Sequence, residues 1–408
     1  MNQSSENPTT QNTTGTTERS RKKTILFRFA ALGVGLLLSL VVVETVVRIF
    51  HVDPPRLISK RQLTELTGLT NQKPITYYQC YPDNPHDEFS PLPDTSQGKW
   101  ELLTYTLNPK PLPLDRLNET PWCVKYTHST KGIRDREYPD KAPEGVMRIA
   151  CVGDSFVFGE GVPIEKTISR QLESQLGKKY EVINGGQVGA NTMDELQILA
   201  AIAQGADCHR AIFVFIPNDI PLHPRLADRQ KYINDLVQIR DQYLDDYKKN
   251  SWHGGNLKSV ALLTAPFEMD KIKRETVQWY LDSYNPEFNK ENLRVFKETI
   301  QTIPKIPGCR SVFVIYPLME GFESEYPLKP IHTQVAAIAE QAGLPVLDLT
   351  SAFAGQKTSD LWVHATDHHP NGTANAIASQ AIIDWLKKDV PWFLEPDTPQ
   401  ETKPDTGF

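Results

Sequence analysis

Residues 148–161 read RIACVGDSFVFGEG, an apolar run that stops at Gly-Asp-Ser. A serine at the tip of a buried strand either shapes a turn or exposes a nucleophile, and in isolation the turn is the commoner reading. Three other stretches change that balance: NGGQVGANT over 184–192, Pro217-Asn218-Asp219, and Asp367-His368-His369-Pro370-Asn371. Between them they hold the parts of acyl transfer. A serine hydroxyl is a weak nucleophile and needs a base within hydrogen-bond reach. His369 is suited to take the proton of Ser155, and Asp367 to hold the imidazole tautomer and stabilise the imidazolium. A tetrahedral intermediate needs preorganised donors for its oxyanion, which the backbone N–H groups of Ser155 and Gly189 and the Asn218 amide can supply. Gly189 fits because a residue without Cβ lets the backbone approach a reacting centre. Asp154 is expected to support the turn through side-chain-to-backbone bonds.

These residues need a scaffold that delivers them to one place. Beyond Val146, short apolar runs at 147–152, 180–184, 211–216, 311–316 and 345–349 read as strands. They alternate with helical patterns at 166–177, 194–203, 331–342 and 375–387, the second with Thr192 as N-cap and Glu195 at the capping-box position. Strands that are near-continuous apolar runs, alternating with helices, imply a parallel sheet covered on both faces, a three-layer α/β/α sandwich. Ligand sites of such sheets form at the carboxyl ends of the strands, where the serine, the glycine loop, the asparagine and the Asp/His pair all fall. The long gap over 220–300, with a charged helical stretch at 226–249 and a helix at 290–303, reads as an insertion beside the sheet.

The four blocks, in this order, resemble the SGNH hydrolase (GDSL-type esterase/lipase) superfamily. GDSF supplies Ser155, VGANT supplies Gly189, PND supplies Asn218, and DHHPN supplies Asp367 and His369. The segment 128–137 is similar to the lead-in of membrane-anchored bacterial members. The resemblance implies a five-stranded parallel sheet in order 2-1-3-4-5 and serine-dependent ester hydrolysis with no metal or cofactor. Two departures stand out: Ile216 occupies a position usually glycine, which bears on the oxyanion pocket, and one residue rather than two separates Asp367 from His369. His368 is a competing base and His364 with Asp360 a remote one; the Pro370-Asn371 continuation favours His369. Arg134 and Glu137 are expected to form a structural ion pair.

The start of the chain is different in kind. Residues 1–28 are polar and then basic (Arg19, Arg21, Lys22, Lys23) and are expected to be disordered and cytoplasmic. Residues 29–50 are apolar over close to the ~20 residues that cross a bilayer, and the flanking positive charge places the remainder outside the cytoplasm. An uncleaved anchor is preferred over a signal peptide, because the apolar run is long and no small-x-small site follows it. Glu44 within it is expected to pair with Arg48. A bacterial inner-membrane protein with one span follows, with 51–145 as a proline-rich stalk or accessory segment, 146–390 as the hydrolase-like domain and 391–408 as a disordered tail. The net charge of −6 gives no reason to expect a nucleic-acid partner. The substrate class is an acyl ester on an envelope glycan or lipid; the alternatives are an O-acyltransferase using the same triad and an inactive binding module. Of five cysteines, Cys80 and Cys123 are candidates for a disulfide, as are Cys208 and Cys309, which precede adjacent strands. Nothing in the sequence sets the oligomeric state.

Overall fold

A computed structural model of the chain describes residues 14–50, 64–68, 76–81, 84–91, 100–104, 122–220, 258–365 and 367–396. The expected disordered ends at 1–13 and 397–408 and the charged stretch at 226–249 lie outside the described residues. The chain divides into two compact units, Met1–Leu57 with Asp245–Asp270, and Ile58–Leu244 with Lys271–Phe408.

In the first unit, helix α1 runs over Thr14–Ile49. Its Lys23–Ile49 portion, 27 residues of mean hydropathy 2.4, is long and apolar enough to cross a membrane. That fits a single-pass anchor or a signal sequence. Glu44 and Arg48, one helical turn apart, form the expected ion pair at 2.5 Å, which keeps a carboxylate in an apolar helix matched.

The second unit begins with strands β1 (Thr64–Gly68), β2 (Thr76–Tyr81), β3 (Ser90–Pro91), β4 (Trp100–Thr104) and β5 (Trp122–Thr127). They form an antiparallel sheet in order β3-β5-β2-β1-β4. The described residues of 51–127 are therefore more than an irregular stalk, and Pro91 lies in the two-residue β3 at the sheet's edge, where proline is tolerated. Cys80 faces Cys123 across the β2–β5 ladder, and Cys123 is disulfide-bonded.

Next come β6 (Met147–Gly153), α2 (Ser155–Phe158), α3 (Ile168–Leu176), β7 (Tyr180–Gly186), α4 (Thr192–Gly205) and β8 (Arg210–Phe215). They are followed by α5 (Lys258–Ser283), whose residues to Asp270 belong to the first unit, α6 (Pro286–Ile300), β9 (Arg310–Ile315), α7 (Lys329–Gln341), β10 (Val346–Asp348), the short antiparallel pair β11 (Trp362–His364) and β12 (Asp367–Pro370), and α8 (Gly372–Asp389). The parallel sheet has the order β10-β9-β8-β6-β7. In units of its own strands this is 2-1-3-4-5, the expected order. All six residues of β8 are buried, as a strand covered on both faces requires.

Three local expectations change. Asn191, not Thr192, caps α4, and its box partner is Asp194; Thr192 instead donates its hydroxyl to the Asp219 carbonyl. Arg134 donates to the Phe158, Gly159 and Val162 carbonyls, while Glu137 accepts from the Thr130 backbone and hydroxyl. Cys208 and Cys309 are free, buried thiols. The β8–β9 register pairs Arg210 with Arg310, so continuing it back sets Cys309 level with His209 rather than Cys208. The Cys208 thiol instead donates to the Arg148 and Arg210 carbonyls at 3.4 and 3.3 Å.

The end of β7 is pressed against α2. A Cβ on Gly186 would collide with the Phe158 nitrogen and the Val157 carbonyl carbon, both backbone atoms that cannot swing away. Gly186→Ala is therefore expected to destabilise the unit by about 3 kcal/mol or more, read as a lower urea midpoint; an unchanged midpoint would show that α2 does not depend on this approach.

Candidate active site

Ser155 is the first residue of α2, separated from the end of β6 at Gly153 by Asp154 alone. Asp154 caps that single turn by accepting from the Phe156 N–H at 2.8 Å. Gly159 closes it in the left-handed conformation, φ +81°. The serine is thus fixed by its neighbours' backbone rather than by its own side chain, which leaves Oγ available.

His369 and Asp367 come from β12. His369 Nε2 lies 2.8 Å from Ser155 Oγ, and Nδ1 lies 2.5 Å from Asp367 Oδ1. Asp367 Oδ1 also accepts the His369 backbone N–H. The Phe156 ring packs edge-on against the imidazole, with centroids 5.5 Å apart. The rival bases are spoken for elsewhere. His368 stacks on Trp362 and pairs with Glu320, His364 lies beside the Tyr81 ring, and Asp360 pairs with Lys357. Asn371 caps α8 and also holds the Asp360 and Trp362 carbonyls, which ties β12 to the helix behind it.

Of the three expected oxyanion donors, Asn218 is brought beside the serine. Its Nδ2 donates to Asp154 Oδ2 at 2.9 Å, the same oxygen that lies 3.3 Å from Ser155 Oγ. Asp154 therefore joins the first and third blocks, beyond its expected part in the turn. Gly189 is exposed, with φ +72° and open space where a Cβ would stand; the conformation, rather than crowding, requires glycine. Ile216 is fully buried and belongs to the hydrophobic core. Its N–H donates to Asp219 Oδ2 at 2.6 Å, which shapes the turn that carries Asn218. Asp219 and Glu195 are both fully buried. Burial first pushes both carboxyls well above their ordinary range, followed by the charge of Asp154 for Glu195 and of Glu195 for Asp219.

Two contributions were missed in the sequence. Glu160, between two glycines with φ +81° each, places Oε2 3.3 Å from His369 Nε2. Its signal was present, as a carboxylate bracketed by glycines five residues after the serine. The second lies far away in the chain: Tyr81 donates to Asp367 Oδ2 at 2.9 Å and Gln79 Nε2 approaches the same oxygen at 3.4 Å. Nothing local to β2 signals this. Burial opposes a charge on His369, but Asp367, Glu160 and then Asp154 outweigh it and raise the imidazole to about 9. Protonated, Nε2–H donates to Ser155 Oγ, whose own proton turns to Asp154; neutral, Nε2 accepts from the serine. Glu160, Asp367 and His369 also lie close enough together to present a carboxylate–imidazole set to a metal ion.

No family model and no curated protein matches the chain. Solved structures do, and many are GDSL lipolytic proteins or esterases. A lipolytic G-D-S-L family member from Veillonella parvula is 13% identical, covering 60% of this chain and 100% of its own, at a TM-score of 0.34. A lipase/acylhydrolase from Enterococcus faecalis is 14% identical, covering 59% and 96%, at 0.34. A carbohydrate acetylesterase from Sinorhizobium meliloti is 13% identical, covering 59% and 98%, at 0.33.

The charge around His369 makes a direct prediction. Its imidazole resonances should titrate near pH 9, and removing one negative neighbour in Glu160→Gln should move the midpoint to lower pH, because the cation loses a partner. A wild-type midpoint at about 6.5, the ordinary value for histidine, would contradict the arrangement.

Proposed function

We propose that this protein is a membrane-anchored serine esterase of the SGNH type, working outside the cytoplasm on an acyl ester of an envelope glycan or lipid. The observation that supports it is His369 bridging Asp367 and Ser155 at 2.5 and 2.8 Å. Ser155 Oγ attacks the acyl carbonyl carbon as its proton passes to His369 Nε2. The Ser155 and Gly189 N–H groups and the Asn218 amide receive the oxyanion. Collapse breaks the bond to the alcohol, which leaves with the proton from Nε2 and an acyl-Ser155 behind. Water then gives its proton to Nε2, attacks the acyl carbon and releases the acid, and the serine recovers its proton. Asp367 stays ionised throughout. Tethering through α1 suits a substrate held in the envelope, and the basic flank of the helix favours a cytoplasmic N-terminus in the inner membrane.

A fluorophosphonate probe should label the detergent-solubilised full chain and fail on Ser155→Ala; equal labelling of both would refute the nucleophile. With p-nitrophenyl esters of graded chain length, Asn218→Ala should lower kcat by about 100- to 1,000-fold, the usual cost of one oxyanion donor. A loss confined to KM would assign Asn218 to ground-state binding instead. In oriented membrane vesicles, protease should reach the second unit only from the extracytoplasmic side; digestion from the cytoplasmic side would reverse the topology.

A further inference from the structure

The antiparallel sheet contributes a line of buried polar side chains that ends on the site. The Gly161 N–H donates to the Tyr126 hydroxyl at 2.7 Å. Tyr126 donates to Gln79 Oε1 in a short hydrogen bond. Gln79 Nε2 donates to the Tyr81 hydroxyl at 2.7 Å, and Tyr81 donates to Asp367 Oδ2 at 2.9 Å. Gln79, Tyr81, Tyr126 and Asp367 are each 3% exposed or less. Around them lies an apolar cluster that includes Phe89, Val124, Phe158, Val162 and Val363.

The line has one polarity only. A backbone amide, which can only donate, stands at one end, and an ionised carboxylate, which can only accept, stands at the other. Every hydroxyl and the Gln79 amide are therefore fixed in orientation. Asp367 receives its Oδ2 partners from β2, and its Oδ1 is left to His369. Burial and the neighbouring Asp367 push the Tyr81 phenol well above its ordinary range, so it stays a donor wherever the triad works. A sheet needed only for packing has no use for such a line, because buried polar groups are costly unless all are satisfied. The other end of the line holds the backbone of the loop that carries Glu160. A Cβ on Gly161 would crowd the Tyr81 hydroxyl at 2.7 Å, so loop and sheet are closely fitted.

We propose that Tyr81 and Gln79 are positioning residues that hold Asp367 Oδ2 and so direct Oδ1 at His369, which makes the antiparallel sheet a working part of the active site. This rests on the esterase reading for its kinetic readout and not for its spectroscopic one. In Tyr81→Phe, kcat for p-nitrophenyl acetate should fall about 10- to 100-fold, as loss of an outer partner commonly costs, with KM within about twofold. The low-field proton resonance of the His369–Asp367 hydrogen bond should move upfield or disappear, with the melting temperature held within a few degrees. Tyr78→Phe, on the opposite face of β2, should change neither. Unchanged kcat and an unchanged resonance in Tyr81→Phe overturn the proposal. Should the wild type hydrolyse no ester, the resonance decides alone, since it needs no substrate: moved supports, unmoved overturns. Should Tyr81→Phe fail to fold, Gln79→Met, close in shape but without the donor, is judged by the same two readouts.

Discussion

The arrangement of this site depends on a guanidinium buried under a loop. Arg134 is 1% exposed, and it donates to the carbonyls of Phe158, Gly159 and Val162 while lying over the Tyr126 and Phe158 rings. A buried carbonyl without a donor costs about 1–3 kcal/mol, so without Arg134 the sharply turned segment after α2 would have little reason to stay folded inward. That segment closes the helix bearing Ser155 and carries Glu160. The arginine itself comes from the stretch between the two sheets. Ser155 and the neighbouring Glu160 are thus set in place from outside the parallel sheet that first presents them.

What the sequence made legible follows from where the physics is local. The parallel strands are continuous apolar runs, and the first three chemical blocks directly follow theirs, so the layers and the placement of those blocks are legible locally; the strand order 2-1-3-4-5 is what the family resemblance implies. The choice of His369 over His368 could not be made from spacing alone; it comes from Trp362 and Glu320, which engage His368. Antiparallel β1–β5 escaped notice because proline dominates the composition of that region while the strands between are short. Gln79 and Tyr81 meet Asp367 across 288 and 286 positions, and no local pattern encodes a contact of that range. The Thr192 cap failed for a related reason: its hydroxyl serves a tertiary partner, the Asp219 carbonyl, and Asn191 takes the local task.

Charge is distributed unevenly about the serine. Asp154, Glu195 and Asp219 are all fully buried on one side, and burial raises each of them. On the other side, Asp367 and Glu160 lean on the imidazole. In the first group, Asp154 and Asp219 stiffen their turns by accepting the backbone N–H groups of Phe156 and Ile216. The second makes the histidine a stronger base. Ser155 sits between them, in contact with both through Asp154 and His369.

The bond at Cys123 adds a condition of place. Thiols are kept reduced in most cytosols and are oxidised beyond the membrane, and Cys123 lies in β5, three residues before Tyr126 and directly across from the strand that bears Gln79 and Tyr81. Until the bond forms, that pair of strands would be joined by its ladder and packing alone. Oxidation then removes much of the freedom with which β2 and β5 could slide or part. Setting the surroundings of Asp367 is in this sense a redox event as well as a folding one, and the proposed placement outside the cytoplasm would supply the oxidising conditions that it needs.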